Sequence, residues 1–272
     1  MKYDALTLTY AVEIILAVQA IIATGELLWY YRLYKHDGLM AWELQRSGPK
    51  LAIYVRKLKL DFVCKYPNVL FVLIIRLLSA IALIPIILLN QSAVIPLFLI
   101  TAINLLMQIR NSQSNDGSDQ MATVCCIALL FANVINTGTS MSCALFFIAA
   151  QAALAYGTSG FLKMQKIGWY NGEYVIDILK TSSYGNKKAL AITQKSRSVA
   201  RALGMMVVYG DCFLSVSFLF PPDICMFILA FGVCLHIGIG RIMGLNTFLW
   251  SYIATYPALY YASYILYSQV LD

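Results

Sequence analysis

Charge is scarce in this sequence. Only 12% of its 272 residues are Asp, Glu, Lys or Arg, about half the share of an ordinary soluble domain. The hydrophobic share is 60% and the mean hydropathy is +0.72. That balance excludes a soluble globular fold. It also excludes disorder, which goes with high charge and few aromatics; here 13% of the residues are aromatic. Cysteine is too dilute for a disulfide scaffold, at seven in the chain. Cys125 and Cys126 are adjacent and the others are scattered, so no metal-ligand spacing exists and no metal is expected. All seven read as small apolar packers. No Gly-rich phosphate loop, His-Glu-x-x-His box or internal repeat is found.

Long apolar runs are what the sequence has, as in Ala80-Ile-Ala-Leu-Ile-Pro-Ile-Ile-Leu-Leu89. They lack the alternation of a transmembrane β-barrel. The fold class is therefore all-α: a polytopic helical membrane bundle forming one integral membrane domain over residues 1–272. A helix of about 20 apolar residues crosses a bilayer. Eight such spans are predicted, at 5–31, 68–90, 93–109, 119–137, 142–163, 203–220, 224–243 and 245–268. Pro221-Pro222-Asp223 separates the sixth from the seventh. Glu13 interrupts the first apolar stretch, so that span reads as retained rather than cleaved.

Charge placement supports an even count. Of the 20 Lys and Arg, eight lie between spans one and two and eight more run from Lys163 to Arg201. Arg110 and Arg241 fall on the same side if there are eight spans. The positive-inside rule then puts the basic loops in the cytoplasm, as in a multi-pass protein of the plasma (inner) membrane. Topology thus explains the pI of 9.0. The expected partner is the lipid bilayer, and no nucleic acid. Within the basic segments, 51–66, 173–180 and 189–203 read as amphipathic interfacial stretches, and Ser47-Gly48-Pro49 as a turn. Gly240-x-x-x-Gly244 reads as a close helix-packing face.

Ionisable residues at membrane depth are costly and point to internal partners or function. Glu13, Glu26, Arg76, Asp211 and His236 qualify. An internal ion pair of Arg76 with Glu13 or Glu26 is one reading. Asp211 has no cation near it in sequence, and His236 lies on the neighbouring span. After span five, Gly157-Thr-Ser-Gly160 thins the helix end and Lys163 follows. Lys163 is either a snorkelling interfacial cation or, if desolvated, a base.

Tyr156, Ser159-Gly160, Lys163, Trp169 and Gly172 form a pattern that resembles the vitamin K-dependent gamma-carboxylase and its small bacterial relatives, the horizontally transferred transmembrane (HTTM) domain proteins. Leu235-His236-Ile-Gly-Ile-Gly-Arg-Ile-Met-Gly244-Leu-Asn-Thr-Phe248 is similar to the family's histidine-bearing helix, and Asp116-Gly-Ser-Asp-Gln120 to loops of the bacterial members. The resemblance implies Lys163 as the base that deprotonates a reduced quinone such as vitamin K. It implies His236 and Asp211 as further catalytic polar groups, and Tyr156, Gly160 and Trp169 as cofactor-binding residues. The implied activity is quinone-dependent modification of a peptide substrate. The alternative it implies is a non-catalytic membrane partner protein in the maturation or export of a secreted peptide or toxin.

Overall fold

The computed structural model describes residues 4–46, 60–111 and 115–268. Among them every regular element is helical. In chain order the helices are α1 (Ala5–Trp29), α2 (Trp42–Gln45), α3 (Asp61–Cys64), α4 (Asn68–Leu88), α5 (Val94–Arg110), α6 (Gly117–Ile135), α7 (Gly138–Met164), α8 (Ile167–Tyr170), α9 (Glu173–Lys180), α10 (Lys187–Lys195), α11 (Arg197–Ser215), α12 (Pro222–Met243), α13 (Asn246–Ile253) and α14 (Tyr256–Ser268).

Five of these, α1, α4, α6, α7 and α12, are long and apolar enough to cross a membrane. No more than 44% of the most apolar window of any of them is buried in the protein. Phe71, Leu78, Phe131, Leu154 and Phe227 stand exposed on them. Apolar faces of that extent are stable against hydrocarbon and not against water. The five helices fit an integral membrane protein.

Three of the eight expected spans take another form. The third is α5, a shorter apolar helix of 17 residues. The sixth is displaced: α11 begins at Arg197, includes Arg201 and ends at Ser215. The eighth is broken into α13 and α14. Pro257 falls in the first turn of α14, where its missing N–H is harmless; in a helix continued from α13 it would remove a backbone hydrogen bond and its ring would clash with the preceding turn. Of the interfacial stretches, 173–180 is α9 and 189–203 is divided between α10 and α11. Residues 51–59 and the Ser47-Gly48-Pro49 turn lie outside the described residues.

Two compact units emerge. One is Thr9–Ala144; the other is Leu145–Asp272 with Met1–Leu8. In the first, α4 packs on α5 and α5 on α6. Asp116 caps α6, its carboxylate accepting from the Ser118 and Asp119 backbone N–H groups at 2.8 and 3.1 Å. Arg110, fully buried, ties the chain segments at the end of α5 together. Its Nε donates to the Cys64 carbonyl at 3.0 Å, and its two terminal nitrogens donate to Asn111 Oδ1 at 2.7 Å and the Met40 carbonyl at 2.8 Å. The guanidinium lies 4.6 Å from the Tyr34 ring centre, a cation–π distance. Burial beside this knot raises the Cys64 thiol to about 11.

In the second unit, α12 packs on α11, α13 and α14. Gly232 carries that packing: a Cβ there would strike the Tyr256 hydroxyl and meet Leu214 Cδ2 at 2.7 Å. The expected Gly240-x-x-x-Gly244 face does not form. Gly244 ends α12 in the left-handed conformation, with φ +74°, and so leaves the helix surface.

Replacing Arg110 by Met removes all three donors and strands the Cys64 and Met40 carbonyls. The expected cost is about 2–4 kcal/mol, read as a lower Tm of the full chain in detergent. Lys, with one ammonium in place of a planar fork, is expected to recover less than half of it.

Candidate functional site

One face of α7 organises the second unit. Tyr156, Ser159 and Lys163 stand at i, i+3 and i+7, on a single helical stripe. Each meets a partner on another helix. Lys163 Nζ donates to Asp211 Oδ2 of α11 at 2.5 Å. Ser159 Oγ accepts from Lys163 Nζ at 2.8 Å and donates to the same Asp211 oxygen at 2.8 Å. Tyr156 Oη lies 2.7 Å from His236 Nε2 of α12 and 3.3 Å from Tyr256 Oη of α14.

Small residues let α11 come this close. A Cβ at Gly160 would lie 2.8 Å from Cys212 Sγ and 3.3 Å from Asp211 Cβ. At Gly157 it would lie 3.0 Å from Ser215 Oγ. Gly204 returns the favour from α11, packed on the Trp169 carbonyl. Gly172, at φ +78°, turns the chain into α9 against Ala200, a conformation that side chains rarely adopt.

Lys163 is not a free interfacial cation. Its side chain is 24% exposed and that of Asp211 only 8%. The ammonium also lies 5.5 Å from the Trp169 ring centre. Lys163 and Trp169 then line a cavity of about 410 Å³ with residues of α9, α10, α11 and α12. Val175, Ile178 and Leu179 of α9 and Ala189 of α10 face it. Glu173, Asp177, Lys180, Lys187 and Lys188 of the same helices are exposed. The amphipathic helices thus put their apolar sides on the cavity. Among the described residues that line it, Lys163 is the one that carries a charge.

His236 sits apart from this ion pair. It is 1% exposed and enclosed by the rings of Tyr156, Phe248, Tyr252 and Tyr256, with centroids 5.4–6.3 Å away. Its Nδ1 has no hydrogen-bond partner among the described residues. Asp211 and His236, expected together, therefore have different partners. Phe248 joins the two regions, since it lines the cavity and packs edge-on against His236.

Of the other expected site residues, Trp169 lines the cavity, Tyr156 belongs to the His236 cluster, and Gly160 serves the α7–α11 crossing. Ser159 was legible only as a small residue; its spacing of four from Lys163 is the signal that a helix would bring the two together. Tyr252 and Tyr256 lie on the two sides of the α13–α14 break, so no helical spacing marks them as neighbours of His236. No cluster of His, Cys, Asp and Glu able to hold a metal occurs among the described residues. Comparison with known protein families, curated proteins and solved structures finds no match to this chain.

The ion pair makes a test of sign. Lys163→Met strands a carboxylate and Asp211→Leu strands an ammonium. Each alone is expected to cost about 1–3 kcal/mol, and the double variant to recover most of that loss. Thermal unfolding of the three variants in one detergent measures the coupling.

Proposed function

We propose that this chain is a membrane-embedded enzyme, or subunit of one, that binds a lipophilic ligand of the reduced-quinone class and uses Lys163 in proton transfer. One observation carries the reading: a single ammonium, held by Asp211 and Ser159, lines an otherwise apolar cavity of about 410 Å³. That cavity fits such a ligand. Trp169 and Phe248 offer aromatic surface for a ring, and Ile178, Ile239 and Met243 offer apolar surface for a tail. A reduced quinone, when bound, would supply an acidic hydroxyl and the electrons of its oxidation.

The protein's own part is proton handling and exclusion of water. Lys163 can hold a proton at Nζ and pass it to Asp211 Oδ2. The amine left behind is a base toward a hydroxyl in the cavity. Ser159 Oγ, bonded to both groups, keeps them in register during the exchange. The apolar sides of α9 and α10 keep the exchange dry.

The likeness of Tyr156, Ser159-Gly160, Lys163, Trp169 and Gly172 to the HTTM and gamma-carboxylase pattern supports the quinone class and suggests a peptide as the molecule modified. We place the chain in the plasma (inner) membrane, with its basic segments cytoplasmic. In that arrangement α5, α11 and the broken α13–α14 pair complete eight crossings with the five long helices.

The test is mass spectrometry of the lipophilic molecules that co-purify in mild detergent with the wild-type chain and with Lys163→Ala. A quinone near one per chain is expected in wild type, falling at least tenfold in the variant. Absence from both overturns the enzyme reading and leaves the non-catalytic partner in peptide maturation.

A further inference from the structure

Three helices of the Leu145–Asp272 unit end together. α7 stops at Met164, α11 starts at Arg197 and α12 stops at Met243. The segment that holds α9 and α10 is tied to all three ends. It follows α7 after the short α8. Arg197 Nε donates to the Asn171 carbonyl at 3.0 Å, and Asn186 Nδ2 donates to the Ile242 carbonyl at 3.3 Å. Leu162 and Ile167 stand exposed on either side of Met164, so the apolar surface of α7 runs to its very end. Apolar surface of that kind belongs in hydrocarbon. α9 and α10 therefore lie at the level where headgroups begin.

The two sides of α10 differ. Ala189 lines the cavity, and Thr193, four residues on, is buried on the same side. Lys188, Ile192 and Lys195 stand at i, i+4 and i+7 on another stripe, all exposed, and Lys187 flanks them. Ile192 is 58% exposed. The acids nearby are already matched: Glu173 faces Arg197 at 3.4 Å and Asp177 faces Lys180 at 3.2 Å. α10 itself contains no Asp or Glu. Lys187, Lys188 and Lys195 make no ion pair among the described residues.

We propose that this face of α10 docks on the anionic phospholipid headgroups of the bilayer in which the chain sits, and that the contact holds α9 and α10 over the cavity. Three ammonium groups on flexible stems can reach lipid phosphates while the stems lie along the interface. Ile192 among them suits the apolar layer just below, and Tyr184, exposed in the loop before α10, suits the boundary itself. A free phosphate ion offers no such layer. The attraction fades within a Debye length, so it needs a helix at the bilayer surface, where the end of α7 puts this one. At 3.3 Å the Asn186 bond is a weak latch on its own. Headgroups bound on the outer side add what it lacks.

Hydrogen–deuterium exchange of the full chain tests this in lipid nanodiscs of phosphatidylcholine alone and of phosphatidylcholine with phosphatidylglycerol. With phosphatidylglycerol the amides of α10 are expected to exchange about fivefold more slowly, and those of α9, packed on α10, to follow. Replacing Lys187, Lys188 and Lys195 together by Gln is expected to remove the difference, and replacing all three by Arg to keep it. Native mass spectrometry from an equal mixture of the two lipids is expected to find phosphatidylglycerol retained preferentially by the wild-type chain. Equal exchange in the two discs overturns the proposal without any variant. So does a difference that survives in the Gln variant, a lack of lipid preference, or the same slowing produced in phosphatidylcholine discs by inorganic phosphate. None of these outcomes depends on what occupies the cavity, so the quinone measurement at Lys163 can fail or succeed separately.

Discussion

A charge surrounded by apolar side chains must find its compensation inside the protein. For the Leu145–Asp272 unit that requirement falls on Lys163 and Asp211. Their contact fixes how α7 lies on α11, and the lining of the cavity follows from it. The ammonium reaches the carboxylate because Gly157 and Gly160 let α11 approach α7. Ser159, one turn back from Lys163, completes a three-membered cluster in which each member bonds to the other two. A larger side chain at Gly160 would separate the helices and unpair the charges together.

The same stripe of α7 carries a second, uncharged cluster. Tyr156 reaches His236 and Tyr256, and three further aromatic contacts enclose the imidazole. The cavity touches both clusters, through Lys163 on one side and Phe248 on the other. Its cover comes from α9 and α10, whose apolar sides need something to bury against. A ligand in the cavity and the apolar sides of these short helices would satisfy one another.

The two units handle buried charge in three ways. Lys163 has a bonded counter-ion, Arg110 has carbonyls and aromatic faces, and Arg76 has Cys126, Asp119 and Tyr34 as electrostatic neighbours. The first two arrangements are complete as they stand. The third leaves Arg76 Nε without a hydrogen-bond partner among the described residues.

The helical class and the main apolar helices were legible from sequence, because only helices and closed barrels satisfy the backbone at membrane depth, and the continuous apolar runs lack a barrel's alternation. The small residues at 157–160 were also legible as a thin place in a helix, and Lys163, Asp211 and His236 as polar residues in apolar surroundings. Pairing was not. Lys163 and Asp211 are 48 residues apart, and Tyr156 and His236 are 80 apart. Hydropathy could not locate α11, whose arginines sit within the helix rather than before it, nor the break that Pro257 imposes on the last apolar stretch. Composition decides that polar groups will be buried. Which of them meet is decided by helix crossings that depend on packing over the whole unit, and no local pattern encodes that geometry.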